Sequence, residues 1–154
     1  MPAMAARAQA QPTTSANGAT PTLRTVIVID RELPKGLAAN AAAVLGHGFG
    51  SRVPGLVGAD FADAAGASHT GLIPTGLPVL GADAADLPAL RSAAVERGLT
   101  VVDLPAPGQQ TTDYDEFRGM VAATPSAELS YLGVALSGPR RAVGRLTGRL
   151  ALLR

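Results

Sequence analysis

Residues 24–50, RTVIVIDRELPKGLAANAAAVLGHGFG, decide the fold. Val26, Ile27, Val28 and Ile29 form a β-branched run suited to a strand covered on both faces, as in α/β proteins. The run ends at Asp30. Pro34 cannot continue a sheet ladder, Gly36 relaxes the backbone, and LAANAAAVL has the helix propensity that alanine and leucine confer. A helix is therefore predicted from about Lys35, closed by the glycines of GHGFG, since glycine commonly ends helices. Its first turn leaves backbone N–H groups unpaired beside Lys35 and Gly36, a seat for a phosphate or carboxylate, or else a plain strand-to-helix joint. Gly46, Gly48 and Gly50 follow the helix instead of preceding it, so they are not a dinucleotide fingerprint, and no Walker A pattern occurs. Asn40 and His47 are seven apart and share a helix face if the helix reaches that far.

Working outward, 154 residues are enough for one domain with a single moderate core. With 47% hydrophobic and 16% charged residues the chain reads as globular, and with 3% aromatics its core must be filled by Ala, Val and Leu. No Trp, two Tyr and three Phe equip it poorly for stacking on nucleic-acid bases. A net charge of +1 gives no global pull towards nucleic acid or membrane, and no membrane partner is expected. Without cysteine there is no disulfide, thiol nucleophile or thiolate metal site, and a cytoplasmic location is the default. Residues 1–22 are polar, small and turn-prone, with no signal-peptide core, and read as a disordered tail before a single α/β domain over 23–154.

Residues 51–80 are rich in Gly and Pro, and a small hairpin is predicted to turn near Ala65 and Gly66. It carries His69, the histidine better suited to general base chemistry, or else a structural histidine. The two histidines and nearby acids do not have metal-ligand spacing, and neither metal nor cofactor is expected. A second strand is predicted over 77–80, then a helix capped by Asp83 or Asp86 running to about Arg97 with Pro88 in its first turn. Residues 100–104, TVVDL, are a third strand, so strand and helix alternate as in a layered sheet. Asp113 with Glu116 three later is a capping-box spacing that predicts a helix to about Ala123. Gln109, Gln110, Thr111 and Thr112 then lie on a loop beyond the carboxyl end of a strand, where open α/β sheets bind ligands. A fourth strand is expected over 129–136, and a last helix with a seam of Val143, Leu146, Leu150 and Leu153. Arg141, Arg145 and Arg149 recur on another face, with Arg140 and Arg154 nearby: a basic patch open to weak tRNA contact, or a solvated face.

In IVIDRELPKGLAANAAAVL, LVG with Asp63, His69-Thr70-Gly71, DYDEF and YLGVALSGP the chain resembles the uncharacterised domain of unknown function two-thousand family. That family in turn resembles the type II peptidyl-tRNA hydrolases: KGLAAN is similar to their KGKxAAQ turn, and Gly138-Pro139 with LTGRLALL to their GP and VTGxLKLL ending. The resemblance implies a three-layer α/β/α fold with a mixed four-stranded sheet, to which the small hairpin is added. Against the hydrolase motifs, Lys35 matches the first lysine only with one residue deleted before Leu37, and Ala43 stands at the histidine. Ala106 stands at the loop acid, Gln110 at its threonine and Thr111 at its glutamine.

Two functions are carried forward. In the first, the chain hydrolyses an acyl ester or amide such as an aminoacyl or peptidyl-tRNA-like substrate, with Lys35 and His69 catalytic. Gly36, Asn40, Gln110, Thr111 and Arg145 then contact the substrate. In the second, the scaffold is a non-catalytic ligand-binding or protein-assembly module, which predicts a homo-oligomer or a partner.

Overall fold

The computed structural model describes residues 23–154, and the tail expected over 1–22 lies outside the described residues. The β-branched run forms β1 (Leu23–Asp30), whose residues from Thr25 to Ile29 are buried. It pairs on one side with β4 (Val79–Ala82), parallel, and on the other with β6 (Tyr131–Pro139), antiparallel. β5 (Thr100–Pro105) joins the far side of β6 antiparallel, giving a mixed sheet in the order β4-β1-β6-β5.

Side chains alternate across a strand, and here the alternation divides the interior in two. Ile27, Ile29 and Ala135 face α1 (Lys35–Arg52), while Val26, Val28, Val134 and Leu136 face α2 (Leu87–Glu96) and α4 (Arg140–Thr147). The result is a sheet between two helical layers. α3 (Tyr114–Ala122) buries none of its residues and stands at the end of the sheet. The hairpin forms from β2 (Phe61–Ala62) and β3 (Ser68–His69).

Five local expectations shift, the first being the fourth strand, which runs over Tyr131–Pro139 and not 129–136. The first helix does not end in GHGFG but continues to Arg52, and its glycines serve packing. A Cβ on Gly48 would lie 2.7 Å from Val102 of β5, and one on Gly133 would lie 2.9 Å from Leu45 of α1, so glycine lets helix and sheet approach closely. The second strand runs two residues later than predicted, because Pro78 can only accept, and its carbonyl takes the Ile27 N–H at 3.0 Å. Neither Asp83 nor Asp86 caps α2 with its side chain; Asp83 pairs with Arg31 at 3.0 Å instead.

The last helix stops at Thr147, so Leu150 and Leu153 leave the predicted helical seam. They stay apolar for another reason: Leu150 packs into one core and Leu153 into the other. The backbone between them pairs with the free side of β4, Gly81 N–H to Ala151 O and Leu153 N–H to Val79 O, both at 3.0 Å. An open sheet edge offers those hydrogen bonds, and the chain end covers it.

Candidate functional site

The carboxyl ends of β1, β4 and β5 point to the same end of the sheet, and there a cleft of about 700 Å3 opens between α1 and the segment that follows β5. From α1 come Leu37, Asn40, Ala41 and Val44, spaced i, i+3, i+4 and i+7 along one helix face. Leu104 and Leu132 come from the sheet, Gly108 to Asp113 form the opposite wall, and Tyr114 and Phe117 of α3 complete it. The Tyr114 and Phe117 rings lie 6.0 Å apart, tilted by 33°.

The loop holds its shape through its own side chains. The Asp113 carboxylate accepts the N–H groups of Asp115 and Glu116, each at 2.9 Å, which satisfies two first-turn donors of α3. The predicted capping box closes through one further residue: the Asp113 N–H donates to Thr111 Oγ1 at 3.0 Å, and the Thr111 hydroxyl donates to Glu116. Thr111 and Asp113 are therefore engaged. Asn40, Gln109, Gln110 and Thr112 make no side-chain hydrogen bond among the described residues, leaving amides and a hydroxyl free on the rim.

The cleft brings together Asn40, Gln110 and Thr111 of the residues singled out by sequence; Lys35, Gly36, His69 and Arg145 do not line it. Lys35 is two residues before Leu37, which turns it about 200° around the helix from that wall. A Cβ on Gly36 would meet nothing within 4 Å, so the backbone there opens onto free space. His69 stays with its hairpin: its ring stacks on Phe61 at 5.3 Å, and its Nε2 lies 3.6 Å from Asp63 Oδ2. The backbone N–H groups of Ala67 and Ala65 hold the Asp63 carboxyl below its ordinary pKa, with His69 a lesser cause. Arg145 is exposed on α4. Asn40 and His47 both lie on exposed turns of α1, and His47 is likewise absent from the cleft.

Asp103, one residue before Leu104, points to the other side of the sheet. There its Oδ2 accepts the Arg91 Nε–H at 2.9 Å, and that hydrogen bond raises the pKa of the guanidinium. Sequence reasoning missed the apolar wall. The usable signal was Leu37 with Val44 seven residues on, on a face apart from the buried Ala38, Leu45 and Phe49; the two are 42% and 46% exposed. Among the described residues no three His, Asp or Glu side chains gather as a metal site, and no helix is long and apolar enough to cross a membrane.

The chain belongs to the family described as protein of unknown function (DUF2000), whose pattern matches residues 23–154. Among solved structures it is similar to a protein of unknown function from Agrobacterium tumefaciens strain C58, with a TM-score of 0.78 at 19% identity. That match covers 84% of this chain and 96% of the other, and at such identity it speaks for the fold. No curated protein matches.

Proposed function

We propose that the chain is a non-catalytic binding protein for a small, uncharged, partly apolar molecule, held between α1 and the loop after β5. The observation that carries this reading is the composition of the cleft. Leu37, Val44, Leu104 and Leu132 offer apolar surface, and Asn40, Gln109, Gln110 and Thr112 offer carboxamides and a hydroxyl that both donate and accept. The only carboxylate on the lining, Asp113, is occupied in capping α3. A charged ligand would leave water and gain no counter-charge there, whereas an amide or alcohol with an apolar body finds partners for both parts. A cytoplasmic home accompanies this proposal.

The test is a screen of neutral, anionic and cationic fragments followed by methyl NMR. Neutral fragments are expected to shift the Leu37, Val44, Leu104 and Leu132 methyls and to lose binding in Val44→Asp. Hits confined to charged fragments, or shifts elsewhere on the molecule, exclude the proposal. In its assembly variant the same module self-associates, which light scattering would read as a mass above the 15.5 kDa of one chain.

A second reading, hydrolysis of an acyl ester or amide such as an aminoacyl or peptidyl-tRNA-like substrate, has one observation in its favour. Asp63 beside His69 is the kind of carboxylate that orients an imidazole for general base work. In this reading Lys35 holds a phosphate or a developing oxyanion, and Asn40 orients the substrate. Turnover of N-acylated aminoacyl-tRNA or simple aminoacyl esters that is equal in the wild type and in a Lys35→Ala, His69→Ala double variant removes it.

A further inference from the structure

The opposite end of the sheet holds a second hollow, of about 340 Å3, between the start of β1, the loop leading into β4 and the start of α4. Arg24, Thr25, Thr75, Pro78 and Arg140 line it, with Leu23 at its edge. The antiparallel register sets Arg24 across from Gly138, two residues before Arg140. Alternation puts Arg24 on the face of Val26 and Val28, the face that α4 covers. Two guanidinium groups thus belong to the walls of one cavity.

Neither is paired with a carboxylate among the described residues. Among the described residues the ion pairs are Arg31 with Asp83, His69 with Asp63, Arg91 with Asp103 and Arg118 with Asp115. The Arg24 Nε is buried and meets no acceptor among the described residues. The 22 residues that precede Leu23 contain Arg7 and no Asp or Glu, so they bring no counter-charge. The neighbouring Thr25 hydroxyl is already bonded to Ser137, at 2.9 Å.

A buried N–H without an acceptor is costly, and two cations in one hollow add repulsion. A bound anion offsets that repulsion between the two arginines. Guanidinium groups suit carboxylate and phosphate alike, but here the donors come from several directions. Arg24 lies on β1, Thr75 in a loop, and Arg140 opens α4, where the cap residue Pro139 supplies no side-chain bond. A carboxylate offers two oxygens and a terminal phosphoryl group three, so the phosphoryl group matches donors from three separate elements more fully. We infer that the hollow between Arg24 and Arg140 binds a phosphoryl group, carried by a small phosphate monoester or as inorganic phosphate. The inference stands apart from the cleft and from either reading of it.

The experiment is calorimetric titration of the full chain, in a buffer free of phosphate, with inorganic phosphate, methyl phosphate, acetate and a short single-stranded oligonucleotide. Saturable one-site binding of phosphate or methyl phosphate is expected, weakened at least about tenfold by Arg140→Ala and by Arg24→Met. Arg141→Ala should leave it unchanged, because that side chain is not on the lining. Arg140 is exposed, so its variant decides the matter even if Arg24→Met fails to fold. Tighter binding of methyl phosphate supports an esterified ligand, and tighter binding of phosphate supports the free ion. No saturable heat from either phosphate, or acetate bound as tightly, overturns the inference. So does binding confined to the oligonucleotide and weakened equally by Arg141→Ala and Arg145→Ala.

Discussion

At one end of the sheet, Thr111, Asp113 and Glu116 consume one another's hydrogen-bonding capacity; at the other, Arg24 and Arg140 have no acidic partner among the described residues. The cleft is large, neutral and floored by leucine, and the hollow is small, cationic and walled by a strand, a loop and a helix start. The difference teaches that selectivity depends on which polar groups the fold leaves unpaired. In the cleft the free groups are amides, which suit shape and neutral polarity. In the hollow they are guanidinium groups, which suit charge.

Removing the support of one end should break the contrast most visibly. Leu45 of α1 is fully buried against the sheet and touches the space left by Gly133. Leu45→Ala is expected to cost about 2–5 kcal/mol in urea unfolding, through lost burial plus a cavity. Neutral-fragment binding should weaken with it because α1 is the cleft wall, while phosphate binding by the folded fraction persists. Loss of both together would show that the two ends are not independent.

Asp113→Ala should have a smaller effect, about 1 kcal/mol, the usual cost of losing a helix N-cap. Faster amide exchange is expected at Asp115 and Glu116, with weaker fragment binding in the cleft and unchanged phosphate binding. Salt sharpens the comparison by a few-fold. Raising ionic strength should weaken phosphate at the arginine hollow and leave neutral fragments in the cleft untouched, read by titration at two salt concentrations.

The smallest effect lies in the hairpin, away from both ends. The native Asp63 carboxyl has a depressed pKa, so its contribution is present above the ordinary carboxylate range and is lost as pH falls through the lower native value. Below that point the Ala65 and Ala67 amide resonances should move, since these N–H groups donate to Asp63 at 2.8 and 3.0 Å. The methyls lining the cleft should not follow.

Much of the architecture was legible residue by residue. The run from Val26 to Ile29, the helix start at Lys35, the hairpin around Gly66 and the Asp113 cap all rest on local chemistry, and each stands where that chemistry puts it. The polar loop was legible as a site wall because it follows a strand's carboxyl end. What misled was a local preference overruled from a distance. Glycine ends many helices, yet Gly48 sits inside one because Val102 leaves no room for a Cβ. Leu150 and Leu153 carry helical spacing, yet the free edge of β4 draws the backbone of residues 151–153 into extended pairing.

By itself, then, the order of residues determined the alternation of strands and helices and the apolar faces that bury them, because periodicity and backbone preference act over a few positions. The tertiary structure decided which polar groups keep a partner. Thr25 and Ser137 find each other across 112 residues, while Arg24 comes level with Gly138 and meets no acid. Pairing of that kind depends on strand register between distant segments, a relation that exists only once the sheet has formed.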